Sequence, residues 1–226
     1  MKITSTLLFC LALVGSKAQG NFESTLSKFN RVIQLPFSTP DELPYVGLIA
    51  AEVLEFMKSE EEKKPYLAWA KEYQEITEEL NQLVGVDSYV LHGAAQYFPY
   101  GQFQIGETTF LMVLETGFES RSMSPFQSLV LLAFDKNHAY KSIQYLMAEE
   151  RSIEYEHEEY EDVLEVFYTR SISSKLEVAN DILVITVTEL NSTQLMRENE
   201  TEEQESTYTN TIKYLPSKGE FEIQFE

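Results

Sequence analysis

The sequence predicts an α+β fold: N-terminal helices packed on an antiparallel β-meander of about six to eight strands, curled as a sandwich or an open barrel. Three observations carry that reading. Apolar residues recur at steps of three and four through residues 21–85, the period of one helix face. From Thr108 onward the chain turns to runs rich in Val, Ile, Leu, Phe, Tyr and Thr, as strands require. The connections between those runs are too short for helical crossovers, so successive strands run antiparallel.

In chain order, the first element is a secretory address. Lys2 gives a charged start, Leu7 to Val14 an apolar stretch, and Ser16-Lys17-Ala18 a small-residue cleavage site before Gln19. This places a signal peptide at 1–18, cleaved after Ala18, and a protein that is secreted or periplasmic. The apolar stretch is too short to span a bilayer, and no later stretch reads as a membrane span. Cys10 lacks the small residues that precede an acylated cysteine, so it reads as an apolar member of the leader. It is the chain's single cysteine; the mature chain is cysteine-free, which rules out thiol catalysis and cysteine metal sites there.

Residues 19–86 form the predicted helical segment. Phe22, Leu26, Phe29 and Ile33 predict a first helix ending near Pro36 and Pro40. Ile49, Val53, Phe56 and Met57 predict a second, closing in the charged run Ser59 to Lys64. The third carries the most regular stripe: Tyr66, Trp69, Tyr73, Ile76, Leu80 and Leu83, with Pro65 in its first turn and Gly85 as its stop. Its acids Glu72, Glu75, Glu78 and Glu79 fall between the stripe positions. Such a stripe suits packing against the chain's own sheet, and a partner helix is the competing reading.

Residues 87–226 form the predicted antiparallel β domain, with 19–226 as one globular unit. Strands are expected over Thr108–Glu115, Gln127–Phe134, Ala139–Met147, Val163–Ile172, Ile182–Glu189, Thr207–Leu215 and Phe221–Phe225. Turns fall at Thr116-Gly117, Asp135-Lys136-Asn137, Asn180-Asp181 and Ser217-Lys218-Gly219. Glu198 to Glu205 reads as an exposed mobile loop.

Charge narrows the function classes. The formal net charge is −20, and removal of the leader takes away Lys2 and Lys17 but no acid. Nucleic acid and anionic lipid surfaces are poor partners for such a chain. Hydrophobic residues at 43% and aromatics at 12% supply a real core, so this is not a disordered acidic tail.

Most catalytic signatures are missing. There is no G-x-S-x-G elbow. Gly101 and Gly106 have the spacing of a phosphate loop, but Glu107 stands where a lysine must meet the phosphates. His92, His138 and His157 form no H-E-x-x-H pair, and His138 reads as an exposed turn residue. Glu154, Glu156 and Glu158 share one face of an extended strand and are the candidate Ca²⁺ ligands. The tight D-x-D-x-D-G spacing of a calcium loop is absent, so a solvated acidic face competes with that reading. Tyr97, Phe98, Tyr100 and Phe103, bent by Pro99 and Gly101, are the candidate ligand-binding residues: exposed rings stack sugars, whereas the same rings buried would fill the helix–sheet junction. The sequons Asn191-Ser192-Thr193 and Asn199-Glu200-Thr201 carry no weight.

Several stretches together carry a resemblance: Phe29-Asn30-Arg31 into Leu35-Pro36-Phe37-Ser38, then Leu132-Ala133-Phe134-Asp135-Lys136, Asn180-Asp181-Ile182-Leu183-Val184-Ile185-Thr186, Ile212-Lys213-Tyr214 and Lys218-Gly219-Glu220-Phe221. In layout the chain resembles the uncharacterised, signal-peptide-bearing, β-rich secreted or periplasmic proteins common in Bacteroidetes-type bacteria, whose leaders often end in Ala-Gln. The resemblance implies export and a β-rich mature chain, and no activity. His138 departs from it, standing where such hairpins commonly place glycine.

The expected function is a non-enzymatic secreted or periplasmic binding protein with a protein or glycan partner. Two alternatives stay open: a hydrolase using an acid pair on glycans, and a Ca²⁺-dependent envelope module.

Overall fold

The computed structural model describes residues 22–40, 75–85, 95–119, 124–157, 163–197 and 200–224. The leader, the expected second helix, the first half of the third and the 86/87 boundary lie outside them.

The described chain is dominated by one sheet. Its strands are β1 (Phe37–Ser38), β2 (Gln96–Ile105), β3 (Thr108–Glu119), β4 (Ser124–Phe134), β5 (Tyr140–His157), β6 (Val163–Ala179), β7 (Ile182–Arg197), β8 (Glu200–Leu215) and β9 (Glu220–Gln224). Strands β2 to β9 lie side by side in chain order, every neighbour antiparallel, and β1 pairs with β6. The outer strands β2 and β9 do not pair with each other, so the sheet is not closed.

The meander follows from the turns. Asn180 and Asp181 both take positive φ, 52° and 59°, the type I′ geometry that matches the twist of a two-residue hairpin. Between β4 and β5, the Asp135 carboxylate accepts the backbone N–H groups of Asn137 and Ala139 at 2.8 and 3.0 Å. His138 beside it has φ 63° and is not the exposed residue expected: its ring stacks on Phe22 at 4.2 Å. The Thr116-Gly117 turn is absent, because β3 continues through it with Gly117 opposite Phe126. A lone glycine weakens a strand without ending it when both neighbours hold the ladder. The acid-rich stretch from Glu200 is strand rather than loop. Glu202, Glu203 and Glu205 face Leu195, Gln194 and Ser192 across β7, so no acid opposes another and cross-strand repulsion is avoided.

The helical segment differs most from expectation. Helix persists over 22–26 only. The Ile33 N–H then donates to Gln102 O at 2.8 Å, and the Gln102 N–H donates to Arg31 O at 2.9 Å. Phe29 and Ile33 enter different apolar clusters, which one helical stripe cannot do. The stretch 29–40 is therefore a strap, running from the edge of β2 to β6. There Phe37 stands opposite Leu176, and Thr39 exchanges hydrogen bonds with the Ser174 backbone. Strand β5 leaves this place vacant, since it pairs with β6 only from Ala148–Ile172 outward. Further along, helix α1 (Thr77–Val84) buries Leu80 and Val84 and stops at Gly85, whose φ is 95°, as the sequence predicts.

The sheet carries apolar groups on both faces. On the inner face Met112, Leu131, Leu176, Ile185 and Ile212 form one cluster. Phe110 on β3 meets Tyr214 on β8 edge-on at 5.1 Å, so the sheet curls until strands far apart in its order touch. On the outer face Leu111, Val113, Val130 and Leu132 share a second cluster with Phe22, Phe29, Ile76 and Leu80. Among the described residues no helix is long and apolar enough to cross a membrane.

Candidate functional site: the inner face of a four-stranded arm

Strands β5 to β8 outrun the rest of the sheet. The β4–β5 ladder ends at Gln127–Glu149, whereas β5–β6 continues to His157–Val163 and β7–β8 to Arg197–Glu200. Beyond Glu149 these four strands form an arm past the two apolar clusters.

The pleat decides what each face of the arm shows, since residues alternate strictly between faces. Following the register out from Leu176–Ile185–Ile212, the inner face carries Ser174–Val187–Asn210, then Ile172–Glu189–Tyr208, Arg170–Asn191–Ser206 and Tyr168–Thr193–Gln204. Core residues give way to polar ones within two rows. The opposite face carries Thr186–Thr211 and Ser173–Thr188–Thr209, then Ser171–Leu190–Thr207, with Leu190 partly in solvent, and Thr169–Ser192–Glu205. Threonine suits a strand by its branching and water by its hydroxyl, which keeps long strands soluble.

A fixed polar centre lies on the inner face. Arg170 Nε and Nη2 donate to Glu189 Oε1 and Oε2 at 3.0 and 3.1 Å, a bidentate pair. Asn191 Nδ2 donates to Glu189 Oε1 at 3.0 Å. The Arg170 hydrogen bond, followed by that of Asn191, holds the Glu189 carboxyl below its ordinary pKa against the opposing effect of burial. Two large rings stay in solvent around this centre, Tyr168 at 36% and Tyr208 at 56% exposure. Tyr208 stands directly opposite Glu189 in the ladder.

Tyr97, Phe98, Tyr100 and Phe103 do not form an exposed platform. All four are buried, in strand β2 rather than a loop. Pro99 is tolerated because β2 is the outermost strand of the meander, and the register shifts between Pro99 and Gly101. Tyr97 Oη donates to the buried Glu115 at 2.7 Å, Tyr100 lies under the Arg31 guanidinium, and Phe103 stacks on Phe110. Of the candidate Ca²⁺ ligands, Glu154 and Glu156 lie in β5 opposite Val166 and Leu164, and Glu158 lies outside the described residues. Among the described residues no group of three His, Cys, Asp or Glu is placed to hold a metal ion.

Two further carboxyls share the behaviour of Glu189. The hydrogen bond from Lys28 holds Glu79 below its ordinary value. Burial would push Asp135 up, but Lys141 and the turn N–H groups outweigh it and leave Asp135 lowered. A lowered carboxyl contributes stability above its unfolded pKa and loses it as pH falls through the folded value. These three therefore add nothing to the difference between pH 5 and 8, and destabilise the fold below about pH 4. The formal net charge of −20 acts oppositely: like charges repel more in the compact fold than in the expanded chain, which costs stability as pH rises from 5 to 8. The melting temperature is expected to peak near pH 5 and to fall towards both pH 3 and pH 8, with about 0.5 M NaCl shrinking the upper fall by screening. Melting curves at the three pH values check this, and equal or greater stability at pH 3 than at pH 5 contradicts it.

No family model matches this chain, and the searches of curated proteins and of solved structures likewise returned no match.

Proposed function

We propose that this is a secreted or periplasmic, non-enzymatic binding protein whose ligand lies on the inner face of the β5–β8 arm. One observation carries the reading: Tyr168 and Tyr208 stay in solvent on the sheet face that is core a few residues below, around an ion pair already fixed by Asn191. Binding faces combine rings with a few placed polar groups in this way. The leader pattern Lys2 to Ala18 supports export. We also read the helical pieces at 22–26 and 77–84 as a layer on the outer face, which leaves the inner face of the arm for a ligand; the apolar cluster shared by Phe22, Leu80 and Leu132 supports this.

The test passes solubilised cell-envelope digest over the immobilised protein and over its Tyr168→Ala/Tyr208→Ala variant. The expected result is a component retained by the first, lost by the second and recovered chemically unchanged. Recovery of a cleaved component favours the acid-pair hydrolase, and equal retention by the variant removes the arm as the binding face.

A further inference from the structure

We propose that the occupant of this face is an uncharged oligosaccharide laid obliquely across β6, β7 and β8, an inference that rests on the binding reading above. The spacing of the rings is the first argument. Tyr208 shares a row with Glu189 and Ile172, and Tyr168 lies two same-face steps further out and two strands across. Strand geometry makes that a separation of roughly 17 Å. A small molecule cannot touch both rings, whereas a short chain of sugar units can.

The chemistry between the rings is the second argument. Arg170, Asn191 and Ser206 occupy the row between, Thr193 and Gln204 share the row of Tyr168, and together they offer both donors and acceptors. A pyranose needs this combination: a ring to cover its C–H face, and planar polar groups at its edge for the hydroxyls. The guanidinium of Arg170 is committed to Glu189 through two bonds, and Glu150 stands opposite Arg170 on β5, so the centre presents oriented hydrogen-bonding groups and no free positive charge.

The other classes of occupant fit less well. A lipid chain needs continuous apolar surface, and here the two rings are separated by the polar row Arg170–Asn191–Ser206. An extended peptide gains its affinity from free main-chain groups at a sheet edge, while β6 and β7 have theirs paired on both sides in the arm. Acidic polysaccharides and nucleic acids meet a chain of formal charge −20 with no unneutralised cation at this centre.

Affinity electrophoresis of the purified protein tests the proposal, in gels containing dextran, galactomannan or mixed-linkage β-glucan, and in gels containing alginate or hyaluronan. Retardation is expected in at least one neutral gel and in neither acidic one. Tyr208→Ala should weaken binding about ten-fold, as the loss of one stacked ring implies. Tyr208→Trp should retain binding, because it keeps a ring there, and Thr188→Ala on the opposite face should bind like the parent. The absence of retardation in every neutral gel, retardation only by an acidic polysaccharide, or full binding by Tyr208→Ala overturns the proposal. A peptide or lipid retained from the envelope digest and lost with the two tyrosines would overturn the sugar while leaving the binding face standing.

Discussion

Phe110→Ala is expected to cost about 3–5 kcal/mol and to lower the melting temperature by about 6–20 °C. The residue is fully buried at the crossing point of the curled sheet. Its ring stacks on Phe103 at 4.9 Å and meets Tyr214 edge-on at 5.1 Å, and Tyr214 in turn meets Phe221 at 5.1 Å. This row of rings joins β2 and β3 to β8 and β9, strands from opposite ends of the sheet order. Alanine removes the transfer energy of the ring and leaves a cavity that four strands can close only by uncurling. Ile223→Ala supplies the control, since its side chain is about half exposed and such changes stay within about 0.5 kcal/mol. Thermal melts of both variants make the comparison. Hydrogen exchange adds a second readout: the amides around Tyr214 should lose more protection in Phe110→Ala than those around Leu190 in the arm. A similar melting temperature for the two variants would mean that the curl is held elsewhere.

The sheet was legible because its turns are written in local chemistry. Asn180-Asp181 and Ser217-Lys218-Gly219 specify their backbone without help from distant residues, and strand order follows once each turn is a hairpin. What was not legible depends on partners far away in the chain. Strand β2 contains Pro99 and Gly101 among its aromatics, with Gly106 just past its end, a composition that reads locally as a bent loop. It becomes a strand because β3 pairs with it from Gln96–Thr116 to Ile105–Thr108. The strap failed as a helix for the same reason: the period of Phe29 and Ile33 was real, but the edge of β2 took the backbone groups that a helix needs.

The candidate site was hidden for a different reason. Aromatics that lie close together in the chain point to Tyr97–Phe103 instead. Tyr168, Arg170, Glu189, Asn191 and Tyr208 come from three strands, and only the register brings them together. One signal was present: Tyr208 is a lone large ring in the polar stretch Glu205 to Thr211. A ring that interrupts a polar alternation marks a strand whose wet face is used for something. The clustered rings of β2 were core because a neighbouring apolar strand was available to cover them.

The strap gives the second large effect. Gly101→Ala is expected to destabilise the protein by about 1–3 kcal/mol through overpacking. A Cβ placed on Gly101 would stand 2.6 Å from Ile33 Cδ1, 2.8 Å from Ile33 Cγ1 and 3.1 Å from the Arg31 carbonyl oxygen. The end of the Ile33 side chain could swing aside only by leaving the inner cluster that it helps to fill. The strap backbone is held by its hydrogen bonds to Gln102, by Gln102 Nε2 donating to Phe29 O at 2.8 Å, and by the Arg31 guanidinium over Tyr100. It has little freedom to retreat. Ile33→Ala alone should cost about 2–5 kcal/mol by opening a cavity. In the Ile33→Ala background, however, both close contacts with the side chain are gone, and the added methyl partly refills the space. The cost of Gly101→Ala should then fall to less than half its value in the parent, a coupling of about 1 kcal/mol or more. Urea unfolding of the four proteins in this cycle measures it. An unchanged cost in the Ile33→Ala background would place the limit at the Arg31 carbonyl. The strap would then be fixed against β2 by its backbone, and the Ile33 side chain would be filling space that the backbone had already defined.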